Sequence, residues 1–304
     1  MFDAIVNLLL TGLFLQAQNN LIVSTTANNL PVAEMKAAPV PQRNYDSDSL
    51  GVKVNAQSYL AVEPQSGKIL YENGCHDVRS IASITKLMTA LVFLDHNPGW
   101  DGDFTMSSAD YRNGGITYLI AGDRIKIRDL FFASLVASSN EATAALARST
   151  GLSEESFVAA MNQKAAELGM ADSRFADPTG LDNDNKSTAE DVVKLAAAAF
   201  SRPEISSAAS TKKYEISVSN KGKVRKIEST DKILGEEFGI AGNTYTISLG
   251  KTGFLDAAGY CFVSQVHDQN GREVLIAVLG SPTINDRFQD TKALAYWVFN
   301  NYKW

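Results

Sequence analysis

The stretch Ser80-Ile-Ala-Ser-Ile-Thr-Lys-Leu-Met-Thr-Ala-Leu91 decides how the rest of the chain is read. It places Ser83 and Lys86 three residues apart, where a helix is expected to begin. Thr85, Leu87, Met88, Ala90 and Leu91 suit a packed helix, and no Gly or Pro interrupts Ser80 to Asn97. Residues i and i+3 share a helix face, so the lysine amine reaches the serine hydroxyl. A serine in the first turn also lies at the positive end of the helix dipole. Such a pair makes a serine nucleophilic without a histidine. Alone, Ser-x-x-Lys is a weak signal, since in most helices it marks a cap and a solvated charge.

Two further polar clusters give it weight. Ser138-Ser139-Asn140 falls between the helix-prone runs Ile127 to Ala137 and Glu141 to Ala147. In isolation it reads as a cap and turn. Lys251-Thr252-Gly253 closes the strand-like run Tyr245 to Leu249. A phosphate loop is excluded there, because position 245 is Tyr where that motif needs Gly, and no helix follows.

In order, Ser-x-x-Lys, Ser-x-Asn and Lys-Thr-Gly make up the three-part signature of penicillin-recognising serine enzymes. The longer stretches Ala82-Ser-Ile-Thr-Lys-Leu-Met-Thr-Ala90, Ser138-Ser-Asn-Glu-Ala142, Phe175-Ala-Asp-Pro-Thr-Gly-Leu181 and Gly250-Lys-Thr-Gly-Phe-Leu-Asp-Ala-Ala-Gly-Tyr-Cys261 resemble the D-alanyl-D-alanine carboxypeptidases, the low-molecular-mass penicillin-binding proteins. The resemblance runs from about Tyr59 to the C-terminus. It implies an α/β (α+β) fold of the β-lactamase/D,D-peptidase kind: an antiparallel sheet flanked by helices, with an inserted all-helical lobe.

It also implies an acyl-enzyme mechanism on peptidoglycan stem peptides ending in D-Ala-D-Ala, with β-lactam antibiotics as covalent inhibitors and no metal or cofactor. Ser83 is then the nucleophile and Lys86 its base, with burial and the Lys251 charge expected to lower the Lys86 pKa. Ser138 relays a proton to the leaving amine, and Asn140 holds Lys86 and the substrate amide. Lys251 and Thr252 bind the terminal carboxylate, Gly253 leaves room for the substrate backbone, and the N–H groups of Ser83 and Phe254 form the oxyanion hole.

This sequence departs from the relatives at three places. Asp177-Pro-Thr179 stands for their Asn-Pro-His, Leu255 for a common Thr, and Ser229-Thr-Asp231 for Asn-Thr-Asn. These bear on substrate detail more than on the reaction. A D,D-endopeptidase acting on cross-links is the alternative within the enzyme reading. A class A β-lactamase is disfavoured, because no Glu-x-x-Leu-Asn lies between Ser138 and Lys251. A non-catalytic sensor is disfavoured because every motif residue is present.

The remaining features set bounds. With 304 residues the chain can bury a large core in one or two lobes. A formal net charge of -6 and no long basic run disfavour a nucleic-acid partner. Cys75 and Cys261 lack metal-ligand spacing and are expected as free thiols, although one disulfide stays open. His76, His96 and His267 read as surface histidines. Residues 1–18 carry the apolar run Ala4 to Leu15, too short for a comfortable span and without a basic leader. They read as an export signal or short membrane anchor, with an amphipathic or buried helix as the alternative. Residues 19–51 read as linker, so action outside the cytoplasm is expected, with any membrane contact through the N-terminus.

The catalytic domain is placed at 52–304, its sheet lobe at 52–81 and 202–304 and its helical lobe at 82–201. Hairpins are expected at Ser58–Glu63/Lys68–Glu72 and Lys213–Ser219/Val224–Glu228, strands at 258–264 and 274–279, and a final helix from Arg287 to Tyr302. The chain ends at Trp304 after that helix, so the resemblance implies a member without the extra β domain of the larger carboxypeptidases.

Overall fold

The structure is a computed structural model describing residues 40–45, 49–240 and 242–304. The expected signal or anchor, and most of the expected linker, lie outside the described residues. The end of that linker is docked rather than free. Gln42–Arg43 pairs antiparallel with Tyr302–Lys303, and the Arg43 guanidinium lies 4.1 Å from the Trp297 ring centre.

Six strands form one antiparallel sheet: β1 (Ser58–Glu63), β2 (Lys68–Asn73), β3 (Glu237–Phe238), β4 (Tyr245–Leu255), β5 (Gly259–Asp268) and β6 (Glu273–Ser281), in the order β3-β4-β5-β6-β1-β2. The N-terminal hairpin thus joins the far side of the C-terminal meander, as expected of a sheet closed by distant segments. Both faces are covered, and period-two alternation sorts the side chains between them. Leu275, Ala277 and Leu279 of β6 pack toward the helices with Leu87, Phe93 and Phe131. Val274, Ile276 and Val278 face the other way, against Leu294, Trp297 and Val298 of the final helix.

The helices are α1 (Thr85–Asp95), α2 (Ile127–Val136), α3 (Asn140–Ser149), α4 (Glu154–Glu167), α5 (Ala189–Phe200), α6 (Pro203–Ala209) and α7 (Asp286–Asn301). Their starts follow local chemistry. Ser139, Ser153 and Thr188 each accept a backbone N–H in the first turn of α3, α4 and α5. A single 3₁₀ turn, Ala82–Ile84, leads into α1 and carries Ser83.

The fold class stands, but three local expectations change. Within the expected helical lobe, the segment after Asp101 instead pairs Asp103–Thr105 with Arg124–Lys126 and loops between them. Its buried acids are satisfied from distant sequence: Asp110 by Arg148 at 2.7 Å, and Asp123 by Lys221 and Arg225 at 2.6 Å each. The expected sheet lobe from 202 begins with a helix: Pro203 occupies the first turn of α6, where its missing N–H costs nothing. The hairpin Lys213–Val218/Lys223–Glu228 does not join the six-stranded sheet. It packs on α2, where Tyr214 stacks on Phe132 at 4.4 Å and donates to Asp129 at 2.7 Å. Cys75 and Cys261 are both buried free thiols. His76 and His96 are exposed and His267 is half-buried.

Candidate active site

Three segments converge on one cleft of about 460 Å³, lined by Ser83, Ser138, Asn140, Thr252, Gly253 and Phe254 among others. The 3₁₀ turn supplies Ser83, the α2–α3 junction supplies Ser138 and Asn140, and β4 supplies the rest. Two described non-glycine residues have positive φ, and both are here: Ala82 at 46° and Ser138 at 56°. Such backbone strain persists only where the surroundings fix it. Around Ala82 they do: a Cβ on Gly180 would overlap the Ala82 carbonyl, and one on Gly253 would lie 2.8 Å from Ile81 O and 3.2 Å from Ser83 N.

The absent side chain at Gly253 thus makes room for the serine turn. Gly253→Ala is therefore expected to push the turn off its seat and slow penicillin acylation about a hundredfold, the effect of displacing a reacting group by about 1 Å. Stopped-flow acylation measures it, and a rate within threefold of the parent would contradict this packing account.

Lys86 is fully buried and its Nζ has three partners: Ser83 Oγ at 2.9 Å, Asn140 Oδ1 at 2.7 Å and the Thr179 carbonyl at 2.6 Å. Two of the three are oxygens that only accept. An uncharged lysine has two N–H donors and one lone pair, so both donors go to Asn140 and Thr179 and the lone pair faces the Ser83 hydroxyl. Burial pushes this amine down to about 7, against the charges of Asp177 and Glu141, which pull it up. It is thus poised to exchange a proton near neutral pH.

Lys251, 1% exposed, donates to Ser138 Oγ at 2.8 Å and to the Thr252 carbonyl at 2.9 Å. Burial first, then the charges of Lys86 and Arg287, lower its pKa well below the usual lysine range, with Asp231 acting the other way. Ser83 and Ser138 remain half-exposed above these buried amines, so a ligand in the cleft meets hydroxyls first.

Several contributors escaped the sequence reading. Asp177 accepts the N–H groups of Thr179 at 2.8 Å, Gly180 at 3.0 Å and Asp182 at 3.2 Å, and so shapes the loop that offers the Thr179 carbonyl to Lys86. The Pro and Gly marked a loop there, but nothing in the chain announced its target. Asn140 also donates to Gly114 O at 2.9 Å, while its neighbour Glu141 accepts from Tyr118 N at 2.6 Å, which fixes the loop at the cleft mouth. Thr252 donates to Thr230 at 2.6 Å. Arg287, 4% exposed, lines the cleft and donates to Gly253 O at 3.1 Å.

Comparison with known proteins gives a consistent result. The family model described as D-alanyl-D-alanine carboxypeptidase matches residues 43–283. A D-alanyl-D-alanine endopeptidase of Pseudomonas aeruginosa is 31% identical across 87% of this chain and 83% of its own length. One of Escherichia coli is 32% identical across 81% and 78%. Among solved structures, a penicillin-binding protein of Listeria monocytogenes in its cefotaxime-bound form is 31% identical, with a TM-score of 0.70 over 83% of this chain and 100% of the other. A Streptomyces DD-transpeptidase is 26% identical, with a TM-score of 0.72 over 83% and 100%.

Proposed function

Because this chain belongs to the D-alanyl-D-alanine carboxypeptidase family of serine peptidases, we propose that it cleaves the terminal D-Ala from peptidoglycan stem peptides through an acyl-enzyme on Ser83, and that β-lactams trap it there. The observation that carries this assignment is the arrangement of Lys86, whose Nζ lies 2.9 Å from Ser83 Oγ while Asn140 Oδ1 and the Thr179 carbonyl accept two of its N–H groups, so that in the uncharged amine the lone pair is left to the Ser83 hydroxyl.

The neutral Lys86 takes the Ser83 proton as Oγ attacks the carbonyl carbon of the scissile bond. Negative charge then builds on the carbonyl oxygen, toward the N–H groups of Ser83 and Phe254. Losing one such donor typically costs about a hundredfold or more. Ser138, held by Lys251, passes its proton to the leaving amine as the C–N bond breaks and takes the proton carried by Lys86 in return, so Lys86 is neutral again. Lys251 and Thr252 hold the carboxylate of the leaving residue. Water, deprotonated by the same base, hydrolyses the ester and frees Ser83. Peptidoglycan lies outside the cytoplasm, so the enzyme works there. The apolar run within residues 1–18 would take it there as an export signal or anchor.

A second reading has specific support. The relatives at 31% and 32% identity are named endopeptidases, and they match over most of their own length. Cutting a cross-link uses the same chemistry, with a longer leaving group than one D-Ala. Product analysis separates the two. Release of free D-Ala from pentapeptide monomers supports the carboxypeptidase, whereas consumption of dimeric muropeptides alone would replace it with the endopeptidase.

A pH test follows from Asp177. Its carboxylate favours the charged form of Lys86, so removing it must lower the Lys86 pKa further below about 7. The base form is then populated at lower pH. Asp177→Asn is expected to move the acid limb of kcat/KM down by about half a unit to one unit. The lost loop hydrogen bonds should also lower stability by about 1–3 kcal/mol. An acid limb that stays put or moves upward would show that Lys86 does not set it.

A further inference from the structure

Behind the carboxylate-binding strand lies a buried acid that the mechanism above does not use. Asp231 is 5% exposed; its Oδ1 accepts from Ile233 N at 3.0 Å, and its Oδ2 has no hydrogen-bond partner among the described residues. A side chain on Gly250 would collide with that same Oδ2 and come within 2.8 Å of Phe262. The strand therefore lacks a side chain immediately before Lys251 where the carboxyl is seated.

Two buried cations bear on this acid from different elements: Lys251 of β4 and Arg287 of α7. Lys86 of α1 adds to the positive field on Lys251, and Asp231 is the acid that opposes it there. Strand alternation puts the Gly250 face, with Asp231, opposite the Lys251 side chain. The acid thus acts through the field across the strand rather than by a direct ion pair. In buried surroundings such fields remain strong over several ångströms. The adjacent Thr230 accepts from Thr252, so residues 230 and 231 together support the two side chains proposed to bind carboxylate.

We propose that Asp231 is a positioning residue whose buried carboxylate keeps Lys251 an ammonium ion, and so preserves the carboxylate-binding subsite of the D,D-peptidase proposed above. Burial raises Asp231 itself to about 6, so it is an anion across neutral and alkaline pH. Without it Lys251 gives up its proton at lower pH. The signature is a KM effect on substrates with a free C-terminal carboxylate that grows with pH.

The test compares wild type with Asp231→Asn on N-acylated L-Lys-D-Ala-D-Ala and on its C-terminal amide. At pH 6 the two enzymes should agree within twofold on KM. At pH 8.5 the variant should show a KM at least about fivefold higher for the free acid, little change in kcat, and no such loss for the amide. The alkaline limb of kcat/KM should move to lower pH. Should the asparagine variant not fold, Asp231→Ser removes the charge without adding atoms and is read in the same way. An unmoved limb, or a loss equal at both pH values and for both substrates, overturns the proposal. Wild type inert toward both the tripeptide and penicillin would instead overturn the peptidase assignment, and this inference with it.

Discussion

Ser83→Ala is expected to abolish covalent labelling by a fluorescent penicillin and to cut peptide turnover by at least about a thousandfold, the scale seen when a nucleophilic serine is removed. No neighbouring hydroxyl replaces it. Ser138 Oγ accepts from Lys251 Nζ, and Lys86 Nζ lies against Ser83. The fold should survive. Ser83 is half-exposed, and Lys86 keeps its Asn140 and Thr179 partners. A melting temperature within a few degrees of wild type, with no label on the gel, is the result that fits. Labelling that persists would mean another residue is acylated.

The second large effect belongs to Lys86, and two replacements separate its roles. Lys86→Met removes the base and should lower the acylation rate about a thousandfold, within the range for general base catalysis. Lys86→Arg keeps a positive charge but does not deprotonate near neutral pH, since a guanidinium stays protonated throughout the range in which proteins work. If Lys86 acts by taking a proton, both variants are equally inactive. Retained activity in the arginine variant would show that charge alone suffices, contrary to a base poised near 7 by burial. Stability should respond less than rate. Methionine leaves Asn140 Oδ1 and the Thr179 carbonyl without their donor, at about 1–3 kcal/mol each. It also removes an amine that was costly to bury.

What the sequence made legible was local chemistry. The cap at Ser139, the two hairpins, and the strands at 258–264 and 274–279 follow from residue types within a few positions. The three motifs were legible because their residues have few bland uses in that order. Features set by distant partners were not. The segment after Asp101 takes its form partly from Arg148, Lys221 and Arg225, which lie far along the chain. Thr179 matters through its carbonyl, which no side-chain pattern encodes. Gly253 was recognised, but the packing of another segment against it was not. Likewise, the mutual repulsion of two buried amines was foreseeable, while the acids that oppose it lie elsewhere along the chain: Asp177 and Glu141 bear on Lys86, and Asp231 on Lys251.

The most direct test of the central claim is mass spectrometry of the wild-type protein after brief exposure to benzylpenicillin, followed by peptide mapping. One antibiotic per chain, attached to the peptide that contains Ser83, is the predicted result. No adduct, or an adduct confined to any other residue, would contradict an acyl-enzyme built on Ser83 and Lys86.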